Sequence, residues 1–121
     1  MTRPSALVCD DEPNLRELIR VSLGSGWAVH EAEDGEVALE LARSLQPDLV
    51  ILDLMMPRLN GLDVLSRLKA DPALTRTRVL VVTAQPASEA EAREHGADGV
   101  IVKPFAPEDL AELAATLVTL T

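Results

Sequence analysis

The chain has 121 residues, of which 47% are hydrophobic and 26% are charged, a balance typical of one soluble globular domain. Its formal net charge of −9 argues against direct binding of nucleic acid by this domain, because phosphate contacts need a basic surface. No apolar stretch is long enough for a membrane helix, and the first residues lack the apolar core of a signal peptide, so we expect a cytoplasmic protein. The single cysteine, Cys9, agrees with that location because it cannot form an internal disulfide.

Short apolar runs alternate along the chain with segments of helical periodicity. The first run predicts a buried strand at 6–9. The segment after it places Leu15, Leu18 and Ile19 on one helical face, and Gly24 is expected to end that helix.

A second strand is predicted at 27–30, and the pair Asp34-Gly35 after it is a turn signal. The next helix presents apolar residues four positions apart. They are Val37, Leu41 and Leu45, flanked by Ala38 and Ala42.

The run at 49–52 is continuously apolar, which suits a parallel strand covered on both faces. After a loop, Gly61 opens a third helix that is expected to end near Asp71. Its inward residues are Val64, Leu65 and Leu68.

Two further strands are predicted at 79–82 and 100–102, separated by a helix rich in alanine and glutamate that ends at His95-Gly96. The last helix carries apolar residues at i, i+3, i+4 and i+7. They are Leu110, Leu113, Ala114 and Leu117. The whole chain, 1–121, is therefore predicted to be one α/β domain of (βα)₅ type, a doubly wound parallel sheet whose ligands bind beyond the carboxyl ends of the strands.

Polar residues follow four of these strands. Asp10 and Asp11 come after the first strand, Asp53 after the third, Thr83 after the fourth and Lys103 after the fifth. Three crowded carboxylates repel one another unless a cation offsets them, and Mg²⁺ prefers such hard oxygen ligands. A hydroxyl and an ammonium group beside the metal can hold phosphate oxygens, and Asp53 can attack phosphorus to give an aspartyl phosphate.

The sequence from Ser5 to the last helix resembles the receiver domains of two-component response regulators, in particular the single-domain regulators of chemotaxis. Five fragments in one order carry the resemblance: Val8–Glu12, Leu52–Pro57, Asn60-Gly61, Val82–Ala84 and Lys103–Phe105. The resemblance implies a flavodoxin-like fold with the strand order 2-1-3-4-5.

The resemblance also implies the roles of individual residues. Asp53 is then the phosphoacceptor, and Thr83 and Lys103 assist it. The Mg²⁺ ligands are then oxygens of Asp10, Asp11, Asp53 and the backbone carbonyl of Met55, with Asp10 reaching the metal through water. The Lys103–Pro104 peptide bond is expected to be cis.

The partners implied by the resemblance are a sensor histidine kinase or histidine phosphotransfer protein as donor, and a downstream protein effector or an output domain outside this chain. The sequence leaves open whether phosphorylation also produces a homodimer. Such a domain promotes its own phosphorylation and dephosphorylation but is not an enzyme that turns over a free substrate.

Two features depart from the receiver pattern. Val100 stands where receivers usually carry an aromatic residue that moves with the threonine, and the chain contains no tyrosine. The helix after Thr83 is short and offers only Ala87, Ala90 and Ala92 for burial, so we expect it to be weakly anchored. A degenerate receiver that acts as a phosphorylation-independent binding module therefore stays open.

Other interpretations of these residues are also open at this stage. A Mg²⁺-dependent aspartyl-phosphate phosphatase is disfavoured because Asp10-Asp11 is contiguous and no insertion is long enough for a substrate cap. The same acidic pair could instead cap the first helix. His30 and His95 are expected at the surface, and Met55 and Met56 are expected to serve packing.

Overall fold

The computed structural model describes residues 3–55 and 60–119. Within them lie the strands β1 (Ser5–Cys9), β2 (Ala28–Ala32), β3 (Leu49–Asp53), β4 (Arg78–Thr83) and β5 (Gly99–Val102). The helices are α1 (Pro13–Leu23), α2 (Gly35–Leu45), α3 (Gly61–Ala70), α4 (Glu89–Glu94) and α5 (Pro107–Thr119). All strand pairs are parallel and the order is β2-β1-β3-β4-β5, which confirms the predicted fold and strand order.

The sheet separates two apolar cores. Side chains of the central strands alternate between them, so that Leu7 and Cys9 join α2, α3 and α4, whereas Ala6 and Val8 join α1 and α5. Every residue of β3 is buried, because helices cover both faces of this strand. The central strands are therefore packed on both faces, and their carboxyl ends share one edge of the sheet.

The buried face of α1 differs from the prediction at one position. Ile19 and Leu23 are buried and Leu15 is partly buried, but Leu18 is 42% exposed. The face against the sheet and α5 follows the i, i+4, i+8 row, and Leu18 stands about 100° away from Ile19 around the helix. The sequence places Leu18 on one face with Leu15 and Ile19, but the structure leaves it outside the core.

In α2 the buried stripe consists of the small residues. Ala38 and Ala42 are fully buried, Val37 and Leu41 flank them at the edge of the core, and Leu45 is 37% exposed. Alanine on the sheet-facing side lets the helix lie close to the strands, which displaces the larger side chains to the flanks. The buried face of α2 is therefore centred on Ala38 and Ala42, and not on the predicted row of Val37, Leu41 and Leu45.

The pair Asp34-Gly35 begins α2 and is not an independent turn. Asp34 is the N-cap, and its side chain accepts a hydrogen bond from the backbone N of Val37 at 3.0 Å. The second strand was predicted at 27–30, but β2 spans Ala28–Ala32, and Trp27 lies just before it, partly buried against the α1 and α5 core.

The region after β4 is as short as the sequence predicts. A single 3₁₀ turn at Pro86–Ser88 leads into the six residues of α4. Ala92 is buried, whereas Ala87 and Ala90 are exposed. One alanine side chain is therefore the buried anchor of this helix.

The start of α3 packs directly on the chain that leaves β3. A Cβ atom on Gly61 would lie 2.4 Å from the Cα of Leu54, so glycine permits this approach. Asn60 caps the helix by accepting from the backbone N of Leu62 at 2.8 Å. This contact fixes the backbone just beyond Asp53.

Across residues 3–55 and 60–119, no helix combines the length and hydropathy required to span a bilayer.

Candidate functional site

The strand ends bring the predicted polar residues to one edge of the sheet. Asp10 directly follows β1, Asp53 is the last residue of β3, Thr83 is the last residue of β4, and Lys103 directly follows β5. Because all strands run in parallel, these positions share the carboxyl edge.

Three carboxyl groups form a cluster at this edge. Asp10, Asp11 and Asp53 each offer one carboxylate oxygen, and these atoms all lie within 4.8 Å of one another. Asp10 and Asp53 are buried, whereas Asp11 is exposed. The cluster is thus open to solvent on the side of Asp11.

Asp53 is held by hydrogen bonds to both of its carboxylate oxygens. The backbone N of Met55 donates to Oδ1 at 2.9 Å, and the Lys103 ammonium donates to Oδ2 at 3.1 Å. The Asp53 side chain is only 5% exposed, so it is shielded from most of the solvent. Lys103, which directly follows β5, therefore faces the carboxylate cluster.

Asp10 has one satisfied and one unsatisfied oxygen. Its Oδ1 accepts from the backbone N of Glu12 at 2.8 Å, whereas Oδ2 is buried and has no hydrogen-bond partner in the described ranges. Burial, and then the Asp53 carboxyl group beside it, raise the pKa of Asp10 to about 7, although the bond from Glu12 and the charge of Lys103 act in the opposite direction.

This bonding does not make Asp10 the cap of α1. The N-cap position is Glu12, which lacks a side-chain capping bond, and Pro13 occupies the first turn. The interpretation of the acidic pair as a helix cap is therefore not favoured for Asp10.

The donor set fits a divalent cation. A buried carboxylate oxygen without a partner is costly, and three carboxylates within reach of one point match the ligands that Mg²⁺ prefers. A cation at this point would offset the repulsion among the three groups, and a water bound to it would give Oδ2 of Asp10 a partner.

Thr83 and Lys103 are joined through the backbone, since Lys103 N donates to the carbonyl of Thr83 at 2.8 Å. The Thr83 hydroxyl oxygen accepts from the backbone N of Gln85 at 3.1 Å, so it is engaged in a local turn. The Lys103–Pro104 peptide bond is cis, which confirms that expectation.

The side chain of Met55 is 64% exposed, so the expectation that it serves packing is wrong. Met55 lies two residues beyond the end of β3, and its backbone N donates a hydrogen bond to Oδ1 of Asp53. Met56 and Pro57 lie outside the described residues. His30 and His95 are exposed, as predicted.

Two residues that the sequence reasoning did not select adjoin the site. Arg16 on α1 donates from Nη1 to the backbone carbonyl of Asp10 at 2.7 Å and from Nε to Glu31 at 2.8 Å. Charged residues on an amphipathic helix ordinarily face solvent, so the pattern of α1 contains no signal for this contact. Only the pairing of β1 with β2 brings Glu31 beside the end of β1.

Comparison with known proteins agrees with this geometry. Residues 6–115 match the family described as the response regulator receiver domain. The chain is 40% identical over 111 residues to the DNA-binding response regulator MtrA of Mycolicibacterium smegmatis, which covers 89% of this chain and 47% of MtrA. It spans about half the length of the curated relatives it matches.

Solved structures give the same result. The chemotaxis response regulator CheY4 of Vibrio cholerae superposes with a TM-score of 0.89 at 29% identity, over 96% of this chain and 99% of CheY4. A BeF₃-activated DrrB receiver domain superposes with a TM-score of 0.87 at 25% identity, over 98% of this chain and 99% of that domain. The chain belongs to the receiver domain family of two-component response regulators.

Proposed function

We propose that this receiver accepts a phosphoryl group on Asp53 in a Mg²⁺-dependent reaction and that the phosphorylated form binds its partners differently. The observation that carries the proposal is the pairing of Asp53 Oδ2 with the Lys103 ammonium at 3.1 Å, inside a cluster of three carboxylates. A cation and a lysine beside one buried carboxylate are the components that phosphoryl transfer requires.

The donor is a phosphohistidine on a sensor kinase or on a histidine phosphotransfer protein. A carboxylate oxygen of Asp53 forms the new bond to phosphorus while the bond between phosphorus and the imidazole nitrogen breaks. The bonding electron pair returns to the imidazole. Hydrolysis later breaks the bond between phosphorus and Asp53, so the domain promotes two reactions of its own side chain and is not an enzyme with a free substrate.

Each polar residue has a distinct part in this scheme. Asp10, Asp11, Asp53 and the backbone carbonyl of Met55 would hold Mg²⁺, with Asp10 reaching it through water. Mg²⁺ supplies neutralisation of the charge that develops on the transferred group. Lys103 holds one phosphoryl oxygen as a point charge, and the Thr83 hydroxyl donates to another.

This assignment requires the Thr83 hydroxyl to change its partner. In the described state the hydroxyl donates to the backbone carbonyl of Gln85 at 3.4 Å, and its oxygen accepts from the backbone N of Gln85 at 3.1 Å. Donation to a phosphoryl oxygen draws the end of β4 toward Asp53 and alters the adjoining α4 region. Val100, a partly buried residue of β5, replaces the aromatic side chain that the family resemblance leads one to expect there.

The length of the relatives and the charge of this domain indicate the kinds of downstream partner. The curated relatives extend well beyond the region they share with this chain, so the effector is either an output domain of the same protein or a separate protein. A phosphorylation-dependent homodimer is a third form of output. The acidic net charge of −9 makes direct contact between this domain and nucleic acid unfavourable.

The alternative of a phosphorylation-independent binding module is not favoured. It gives no reason for the buried Asp10, for the lysine on Asp53 or for the hydroxyl at the end of β4. Val100 concerns how phosphorylation changes the binding of partners, and not the chemistry at Asp53.

Intact-mass measurement after incubation with acetyl phosphate tests the proposal. The wild type should gain one phosphoryl group only when Mg²⁺ is present, and a chelator should abolish the gain. Asp53→Asn should gain none, whereas Asp63→Asn, the same substitution at an exposed position on α3, should behave as the wild type. No gain in the wild type would favour the binding module, and a gain in Asp53→Asn would place the phosphoryl group elsewhere.

A further inference from the structure

Arg16 is a largely buried cation beside the carboxylate cluster. Its side chain is 15% exposed, and its guanidinium lies between β2 and the loop that follows β1. Nη1 donates to the backbone carbonyl of Asp10 at 2.7 Å, a short charge-assisted hydrogen bond. The contact is to the main chain and not to the Asp10 carboxylate.

Glu31 on β2 fixes the position of that guanidinium. Its Oε1 accepts from Nε of Arg16 at 2.8 Å, and its Oε2 accepts from Arg20. Hydrogen bonds from these arginines, chiefly the one from Arg20, lower the pKa of Glu31, so its carboxylate stays charged. The planar guanidinium has two fixed partners, Glu31 and the Asp10 carbonyl, and therefore has little freedom to rotate.

The Asp10 carbonyl belongs to the peptide unit that leads into Asp11. That unit is planar, so a bond to its oxygen also fixes the direction of the Asp11 N–H and Cα. On the other side, the backbone N of Asp10 donates to the carbonyl of Ala32 at 3.1 Å. The Asp11 side chain is exposed, so its direction depends chiefly on the backbone that carries it.

We propose that Arg16, held by Glu31, is a positioning residue for the cation site, which fixes the peptide unit between Asp10 and Asp11 and so directs both carboxylates toward Asp53. The inference rests on the proposed function, because it concerns the affinity of that same site for Mg²⁺. Arg16 touches neither the cation nor the phosphoryl group in this scheme and acts only through the backbone.

Arg20 provides a matched control. It also pairs with Glu31, but its side chain is 44% exposed, and its side-chain hydrogen bonds within the described residues go to that carboxylate. Arg16→Met and Arg20→Met both remove one arginine from Glu31 and keep an apolar stem. Only Arg16→Met also removes the bond to the Asp10 carbonyl.

The measurement is the Mg²⁺ dissociation constant from the backbone amide shifts of residues 10–12, with thermal unfolding recorded in the absence of Mg²⁺. We expect Arg16→Met to weaken Mg²⁺ binding about tenfold, as loss of an outer support of a metal site does. Arg20→Met should change it by less than about twofold, because it removes only a partly exposed ion pair. Arg16→Lys keeps one donor for the carbonyl and should lose less affinity than Arg16→Met.

Phosphorylation by acetyl phosphate provides a second readout. Arg16→Met should need about tenfold more Mg²⁺ for half-maximal rate while its rate at saturating Mg²⁺ stays near that of the wild type. A variant that is less stable but binds Mg²⁺ as tightly as the wild type would overturn the inference. Equal losses in Arg16→Met and Arg20→Met would overturn it as well. A wild type that binds no Mg²⁺ would instead overturn the proposed function on which the inference rests.

Discussion

Asp10 is a buried carboxyl group whose ionisation depends on what lies beside it. Its pKa rises from an ordinary 3.8 to about 7, chiefly through burial and then through the neighbouring Asp53. A raised pKa means that the folded chain binds this proton more tightly than the unfolded chain does. The group therefore favours folding most strongly below pH 3.8, and this contribution is lost as the pH rises through about 7.

Asp10→Asn tests this linkage in the metal-free protein. Asparagine keeps an oxygen for the backbone N of Glu12 and removes the charge, so the variant should be more stable than the wild type at pH 8. We expect the Tm to rise by roughly 4 °C at pH 8, about the effect of one kcal/mol, and by less at pH 5. Asp63→Asn, an exposed control in the first turn of α3, should have the same small effect on the Tm at both values. A lower Tm for Asp10→Asn at pH 8 would contradict the assignment.

The same proton competes with the cation for Asp10. Mg²⁺ binding requires the ionised carboxylate, so the affinity for Mg²⁺ should increase as the pH rises from 6 to 8, across the Asp10 pKa of about 7. Titration of the amide shifts with Mg²⁺ at several pH values measures this. An affinity that is constant over that range would show that Asp10 does not titrate at the site.

At the scale of elements, the site depends on how closely α3 packs against the end of β3. The main chain of Leu54, one residue beyond Asp53, touches the first residue of α3. The backbone after Asp53 is thereby held from α3, while Lys103 holds the Asp53 carboxylate from the other side.

Gly61→Ala should disrupt this packing. A Cβ at position 61 would meet backbone atoms of Leu54 at 2.4–2.8 Å, so the two segments must move apart. We expect a loss of about 1–3 kcal/mol in the free energy of unfolding, measured by urea denaturation. Gly26→Ala is the matched control, because a Cβ there has no neighbour within 4 Å in the described structure. Equal stability of the two variants would contradict the close packing.

Helix α4 should be the least protected helix of the described fold. It has six residues, and Ala92 is its buried side chain. A short helix with little apolar area to bury opens locally without global unfolding. Hydrogen exchange of the unphosphorylated protein should therefore be fast across residues 87–95 and slow across α3 and α5. Strong protection throughout residues 87–95 would contradict this.

At the scale of the whole molecule, the alternation of apolar strands and periodic helices was sufficient to predict a parallel (βα)₅ sheet, whereas the strand order followed from the resemblance to receiver domains. Parallel strands then place their carboxyl ends on one edge, which is why the sequence alone groups Asp10, Asp53 and Lys103. Their grouping depends on topology and not on the packing of individual side chains.

The remaining features depend on packing, which the sequence pattern does not encode. Leu18 resembles a core residue by type but lies on the flank of α1, where it is 42% exposed. Met55 likewise points outward although it is apolar. Arg16 shows the converse, since a charged helix residue is held inside by Glu31 and by a backbone carbonyl. Such contacts arise only once β2 and α1 are assembled around the end of β1.

The central claim concerns the identity of the phosphorylated residue, and peptide mapping tests it most directly. Borohydride reduction of the phosphorylated chain converts an aspartyl phosphate to homoserine, which mass spectrometry of the proteolytic peptides locates. The account predicts homoserine at position 53 alone, and only in protein incubated with both acetyl phosphate and Mg²⁺. Homoserine at Asp10 or Asp11, or at no position although the donor and the cation were present, would contradict it.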